Sequence, residues 1–345
     1  MPSLPTDAAP RVQPLHWGHL PLLLRQLVAH QDDGGGARVW RQALVGPLQR
    51  LIGRSGTRRP ADLGLVALAP SDQPVGLLLA GSANRRGSCW RLDLLQISDD
   101  ADGRLDLATA LLREALHRTP AAVSWIARAD LHDELLLAAL RDQGFQTLQQ
   151  LQVWRLDDLD HLQSADQPLP EGLELLPLQA DNAALLLQLE LSATPSQLRR
   201  MQDLSSPDLL DDALPASRLL VDRQRHLAVA AARLQRRRHG QQPMELDLTL
   251  HPAWEALLEG PMALLLGMAI RDHLPVVLRC DGRRPRLIAW LAHQGAVQVG
   301  EELVLARSLW ARQALATPSW RRSATLDRLV GPWRPGQRPV PEAVR

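Results

Sequence analysis

The sequence contains no lysine and no tyrosine, and its single phenylalanine is Phe145. All 39 basic residues are therefore arginine. Asparagine occurs only at Asn84 and Asn182. The residues that are missing have AT-rich codons, so a GC-rich, bacterial-type genome is the plain origin of the bias. Its chemical consequence stands regardless: no tyrosine can act as an acid and no lysine as a nucleophile. Cysteine is scarce too. Cys89 and Cys280 lie far apart, form no metal-ligand spacing and suit a reducing cytoplasm, so no metal is expected. The formal net charge of +1 leaves no global field to attract bulk nucleic acid or an anionic membrane, and neither partner is expected. The longest uncharged apolar run, Gly260 to Ile270, is too short to cross a bilayer. The opening "MPSLPTDAAPR" has neither a basic n-region nor an apolar h-region. Together these absences point to a soluble cytoplasmic protein.

What is present is a long, apolar-rich chain. With 345 residues, 45% of them hydrophobic, it exceeds the usual single domain and can bury sizeable cores. Residues 1–10 read as a loose terminus. "RVQPLHWGHLPLLLRQLVAH" reads as strand, turn and amphipathic helix, followed by loop signals at Asp32 to Gly36 and Gly53 to Pro60. "LGLVALAP", "PVGLLLAGS" and "CWRLDLLQIS" read as strands, the last two joined by the turn "NRRG", Asn84 to Gly87. "RLDLATALLREALHR" has helical spacing at Leu107, Ala110, Leu111 and Ala115. A strand "AAVSWIA", a helix "LHDELLLAALRDQ" and a strand "TLQQLQVWRL" complete this part. The order is strand, helix, several strands, helix, strand, helix, strand.

Residues 157–172, "DDLDHLQSADQPLPEG", are polar, proline-containing and without period, as a linker is. The order then restarts. "LELLPLQADNAALLLQLEL" matches the first strand, turn and helix, with Pro14-Leu15 and Pro177-Leu178 at the same place. "SRLLVDRQRHLAVAAARL" gives a strand pair, and the arginine-rich "QRRRHGQQ" stands where "NRRG" stood. "MELDLTLHP" parallels "WRLDLLQIS", and "GPMALLLGMAIRDHL" supplies the helix. "VVLRC", "PRLIAWLAHQG" and "VQVGEELVLAR" close the series. Both halves thus end on a helix, a Gln-Gly pair (Gln143-Gly144, Gln294-Gly295) and a return strand. An internal duplication explains this better than coincidence does. Residues 311–345, with seven arginines, two acids and five prolines, read as an extended basic tail.

The order of elements, and above all the "ALRDQGF" helix end before a strand, resembles the GNAT superfamily of N-acetyltransferases, whose motif is A-L-x-L-Y-E-K-x-G-F. The resemblance covers residues 11–156 well and 173–310 less well. It implies an α/β fold made of two tandem GNAT-like domains, each a mixed, mostly antiparallel sheet flanked by helices. The two would form a pseudo-twofold pair, with a splayed pair of strands in the leading copy. It implies an acetyl-CoA-dependent N-acetyltransferase whose first domain carries any activity, acting on a small-molecule or protein amine that the sequence does not name. The alternative is a catalytically inactive scaffold or binding module on the same fold.

In the family the pantetheine lies along a splayed strand edge, here Leu95, Gln96 and Ile97. The pyrophosphate sits on the amides of a Q/R-x-x-G-x-G/A loop at a helix N-terminus, which favours an anion. The corresponding residues are Gly103, Arg104, Leu105, Asp106, Leu107 and Ala108, followed by Thr109. Only Ala108 fits the motif. Asp106 replaces a glycine, and Asp99, Asp100 and Asp102 add carboxylates, with Arg104 the one offsetting charge. In the second half "LTLHPAWEALLEG" places Glu255 and Leu258 at the motif's Gln/Arg and first Gly, and Pro261 follows Gly260, so this seat is poorer still.

Asp93, on the strand before the loop, is the candidate base, although a cross-strand or edge ion pair is the plainer reading. Leu140 occupies the family's tyrosine position and cannot donate a proton. His132 before the second helix, the His16/His19 pair, and Asp247 and His251 in the second half read as structural. The arginine turns Arg85-Arg86 and Arg236 to Arg238 with His239 read as solvated hairpin tips, and Trp90, Trp125 and Trp154 as core.

Overall fold

The computed structural model describes residues 11–19, 63–158, 168–235, 244–258 and 260–309. The expected loose terminus 1–10, the helix and loops of residues 20–62, part of the linker, the 236–239 turn and the tail lie outside the described residues. In the first half the chain runs β1 (Arg11–Pro14), a 3-10 turn (Trp17–His19), β2 (Leu63–Leu68), β3 (Pro74–Ser82), β4 (Cys89–Ile97), α1 (Arg104–Arg118), β5 (Ser124–Asp130), α2 (Glu134–Asp142) and β6 (Gln146–Leu156). The second half runs β7 (Leu173–Pro177), α3 (Ala183–Ala193), α4 (Ser196–Gln202), α5 (Ser206–Asp211), β8 (Arg218–Asp222) and β9 (Leu227–Gln235). It continues with β10 (Met244–Leu250), a 3-10 segment (Pro252–Leu258), α6 (Gly260–Ile270), β11 (Val276–Asp281), α7 (Pro285–His293) and β12 (Val297–Ser308). Apart from α4, α5 and the second 3-10 segment, each of these follows the sequence pattern.

The two helix ends that suggested a duplication are closed in the same way. Gly144 has φ 77° and Gly295 has φ 81°, left-handed values that glycine adopts without a Cβ clash. Phe145 N–H bonds back to the Leu140 carbonyl at 3.0 Å, and Gly144 N–H to Arg141 at 2.9 Å. Ala296 repeats the first bond to Leu291 at 3.1 Å, and Gly295 the second to Ala292 at 3.1 Å. Both are the paired bonds of a glycine helix stop that sends the chain back as a strand.

The sheets of the two halves are not separate. All twelve strands join in the order β1-β2-β3-β4-β5-β12-β6-β11-β10-β9-β8-β7. This corrects the expectation of one sheet per half, and it also strengthens the duplication. Matching each strand of the first half with its counterpart in the second makes the order a palindrome, as a twofold axis between β6 and β12 requires. The registers agree: Leu151 pairs with Glu302 at the centre, and Val153–Gly300 on one side mirrors Val304–Gln149 on the other. The exchange leaves neither half with the open edge that it would otherwise present next to β5 or β11.

The cores are reciprocal for the same reason. Leu303 and Leu305 of β12 pack into the first-half core with Trp125, Leu111 and Leu140 beneath α1 and α2. Trp154 and Leu156 of β6 pack into the second-half core with Leu246, Leu266 and Leu291 beneath α6 and α7. Trp125 is fully buried and stacks on Trp90 at 5.9 Å, so the tryptophans at strand positions are core residues.

On the opposite face α3, α4 and α5 of the second half lie over the centre of the sheet, and α4 reaches β5 and β12. There the first-half hairpin tip is docked rather than solvated, which corrects the sequence expectation. Arg85 makes a bidentate pair with Asp211 (2.8 and 2.5 Å), and its N–H donates to Asp208 at 2.7 Å. Asn84 donates to the carbonyls of Gln202 and Asp203, and Ser88 to the Asp203 carboxylate at 2.8 Å. The turn's charges meet carboxylates of the other half, which sequence proximity could not reveal.

Candidate functional site

Strands β4 and β5 are parallel and paired only from Cys89–Ser124 to Leu92–Ala127. Beyond that point they diverge, leaving the facing edge of Asp93 to Ile97 open. The divergence has a local cause. The β3–β4 register slips between Leu79–Leu94 and Ala80–Leu92, so Asp93 is an extra, bulged residue. A bulge bends its strand and increases its twist. Past the bulge, Ile97 packs on Gly76, where a Cβ would lie 2.9 Å from the Ile97 Cδ1 atom and 3.0 Å from Leu111. The strand therefore runs close under α1 and delivers the chain to its N-terminus.

That N-terminus is uncapped. Gly103 takes φ 63° and no side chain bonds to the first turn. Leu107 N–H returns to the Gly103 carbonyl at 3.0 Å, and the amides of Arg104, Leu105 and Asp106 have no partner among the described residues. Three free amides on the positive end of a helix dipole suit an anion. The side chains oppose it. Asp106 is exposed, and Arg104 is tied to Asp99 at 2.9 Å. Leu107, Ala108 and Thr109 point into the core, Leu105 is exposed, and Leu95 and Ile97 pack against the same core. The Gln96 side-chain oxygen is buried without a partner. The backbone at this helix end thus suits an anion, while the acidic loop opposes one.

Asp93, the candidate base, is nearly wholly buried and accepts from Arg91 Nε at 2.7 Å. Burial works against the Arg91 charge, but Asp93, together with Asp212 and Glu245, more than offsets it and the guanidinium is held above its ordinary range. Leu140 is fully buried. His132 is exposed in a turn, its N–H bonded to Asp130, and the N-cap of α2 is Asp133. His16 and His19 stack 3.6 Å apart, with His19 bonded to Gln13, and no group of metal ligands occurs among the described residues.

The second half opens the same V and then closes its far end. β10 and β11 pair from Met244–Val276 to Leu246–Leu278 and then part. No bulge interrupts β10, whose register with β9 runs unbroken from Glu245 to Leu250. The carbonyl of Leu250 is taken by Arg284 at 3.0 Å. Where the first half has an open loop, the 3-10 segment folds in, burying Leu257 and Leu258, and Glu255 pairs with Arg286 at 3.4 Å. Gly260, which starts α6, is itself buried. His251 accepts from the Ala253 amide, and Asp247 binds Arg233 and Gln235, so both hold structure together.

One cavity of about 270 Å³ lies between the sheet centre and α3–α5. Arg91, from the paired end of β4, and Arg128, just past it on β5, line it from the first half, and Asp247, Thr249 and Arg279 line it from the second gap. Arg128 and Arg279 are counterparts under the twofold, since Arg128 lies opposite Val304 and Arg279 opposite Val153. Glu245 bridges them, at 3.7 Å from Arg128 and 3.2 Å from Arg279. Glu302 holds Arg279 with two bonds, 2.7 and 3.1 Å. Glu190 of α3 lines the cavity as well and accepts from Thr249 at 2.8 Å. Burial pushes the Glu190 carboxyl up; Arg233 pulls against this and Asp247 adds to it.

No protein-family model matches the sequence, and no curated protein matches it. The solved structures do. A tandem GNAT protein from the clavulanic acid biosynthesis pathway is 15% identical, with 87% of this chain and 98% of that chain covered and a TM-score of 0.53. The fold is the tandem GNAT fold. A GCN5-related N-acetyltransferase from Sphaerobacter thermophilus is 14% identical over 89% of this chain and 97% of its own, with a TM-score of 0.50. A GCN5-related glucosamine N-acetyltransferase region of a fungal multidomain β-N-acetylglucosaminidase is 12% identical, with a TM-score of 0.58 over 88% of this chain and 38% of that one.

Within this tandem GNAT fold the loop residues predicted from sequence do gather at one helix end beside one strand edge, and Asp93 sits where that edge opens. Sequence reasoning missed Glu190, Arg128 and Arg279. Glu190 carried a legible signal as the one acid in the leucine-rich helix "AALLLQLELSA". The two arginines carried none, because only the strand exchange brings them together. Among the described residues no helix is long and apolar enough to cross a membrane.

Proposed function

We propose that this chain is an acetyl-CoA-dependent N-acetyltransferase with a single cofactor seat, in the first half, and its amine acceptor in the central cavity. The observation that carries this reading is the opened β4–β5 gap, bulged at Asp93 and leading to three unpartnered amides at the start of α1. The tandem GNAT neighbour is described as a structure without AcCoA, and other neighbours are described as N-acetyltransferases.

When bound, acetyl-CoA supplies a thioester, and its transfer to an amine forms an amide and releases a thiol. Leu95 to Ile97 would line the pantetheine with their open backbone edge, and Arg104 to Asp106 would meet the pyrophosphate with their amides. The acceptor amine must lose a proton. Asp93, at the mouth of the gap, is the proposed base, positioned by Arg91. Glu190, across the cavity and raised above its ordinary range by burial, is the second carboxyl able to take that proton. With Leu140 buried where a tyrosine would stand, the departing thiolate has no side-chain acid there.

The inactive-scaffold alternative has one observation on its side, the carboxylates around the α1 N-terminus. Isothermal titration with acetyl-CoA decides between the two. Binding of about one equivalent per chain supports the transferase, and no heat at high micromolar ligand removes it.

A further inference from the structure

The central cavity poses a charge problem that the acyl-transfer reading does not answer. Five arginines and five carboxyl groups line it, so it suits neither a pure polyanion nor a pure polycation. Its pairing is uneven. Arg279 is held by Glu245 and doubly by Glu302, Arg91 by Asp93, and Arg233 by Asp247. Arg128 has one ion pair among the described residues, to Glu245 at 3.7 Å, and it shares that carboxylate with Arg279. Its side chain is 38% accessible, and that surface opens on the cavity. A guanidinium carries five N–H donors in a fixed fork, and this one makes no hydrogen bond among the described residues. Burial and the neighbouring Arg279 both work against its charge, and Glu245, Asp247 and Glu302 do not make up the difference. Nearby Arg91 Nη2 and Arg233 Nε are buried without partners among the described residues.

We propose that Arg128 is the anchor for the carboxylate of a small amino acid, which makes the cavity a zwitterion site and the acceptor an α-amino acid. This rests on the transferase reading for the word acceptor, but not for the site itself. A carboxylate is planar and matches the guanidinium fork with two parallel bonds. A singly charged anion suits the site better than a phosphate dianion, because Glu245 and Asp247 already lie within reach of the arginines. The ammonium end is met by the carboxyl groups Glu190 and Asp212 on the helical wall that faces the sheet. About 270 Å³ is at the small end of ligand cavities and holds a metabolite rather than a folded partner. Arg128 is the first residue of β5 beyond its paired segment with β4, so a ligand fixed by Arg128 lies at the point where the first gap begins.

The test is calorimetric and thermal-shift titration of the full chain with the twenty proteinogenic L-amino acids at millimolar concentration. Each is paired with the amine left when its α-carboxylate is removed, such as agmatine for arginine and histamine for histidine. At least one amino acid should bind and its decarboxylated amine should not. Arg128→Gln should weaken that binding by about tenfold, the loss of one charge-assisted contact. No amino acid binding, equal binding of the amine, stronger binding of inorganic phosphate, or an unaffected Arg128→Gln overturns the proposal. Should the variant fold poorly, the comparison of acid and amine on the unaltered chain still decides. Acetyl-CoA is titrated separately. Heat from acetyl-CoA without amino-acid binding sinks the acceptor class alone, whereas amino-acid binding without acetyl-CoA heat sinks the transferase and leaves the cavity site standing.

Discussion

The two halves share a strand order, a helix stop and a splayed strand pair, yet among the described residues only the first leads its gap to unpartnered amides at a helix start. In the first, a bulge at Asp93 opens β4 and the chain reaches α1 through a short loop with free amides. In the second, the strand is regular, Arg284 occupies the carbonyl at its end, and the 3-10 segment fills the entrance with Leu257 and Leu258. The lesson is that a duplicated fold keeps what the sheet needs and diverges at the gap. The glycine stops survive because both returns to the sheet depend on them.

The largest expected effect tests whether the halves are one folding unit. Leu305, a second-half residue, is fully buried in the first-half core. Leu305→Ala should cost about 2–5 kcal/mol, as large-to-small core changes do. Denaturant unfolding should still show one transition, with both halves weakened together; a two-step curve with only the second half weakened would separate them.

The next sharpens the contrast between the seats. Asp106→Gly removes a carboxylate from the α1 N-terminus and restores the residue type that the phosphate loop calls for. Acetyl-CoA affinity should rise about threefold to tenfold, consistent with one repulsive charge near a helix end. Calorimetry at low and moderate salt would show the gain shrinking as salt screens it. Arg284→Ala, which frees the Leu250 carbonyl in the second half, should leave acetyl-CoA stoichiometry at one; a second equivalent would show that the closed seat was only latched.

The smallest effect is a pH dependence. The folded-state pKa of Glu190 lies above its unfolded value, so the folded chain binds the extra proton between the two. Its contribution to stability is therefore fully present below the ordinary glutamate range and is lost as pH rises toward the folded value. Glu190→Gln should be no more stable than the parent below the ordinary glutamate range and relatively more stable as pH rises above it. A thermal-melt difference that is flat with pH would refute this.

Much of the fold was legible, because local signals fixed local elements. The span "RLDLATALLREALHR" is α1 residue for residue, and Gln-Gly marked both helix ends. What could not be read was long-range. Nothing in "VQVGEELVLARS" announces that it enters the other half's sheet, since alternation sets which face a strand buries but not its neighbour. The helices α4 and α5 are short, and "SQLRRMQ" and "SPDLLD" have too few turns for a periodic signal. The loop positions 103–106 were legible by spacing, whereas the cavity was not, because Glu190, Arg128 and Arg279 come from three distant segments.

The asymmetry between the halves is tested most directly by hydrogen–deuterium exchange with and without acetyl-CoA. The amides of Asp93 to Ile97 and Gly103 to Asp106 should gain protection, while those from Leu250 to Gly260 stay unchanged. Protection at the second-half segment, or none at the first, would contradict it.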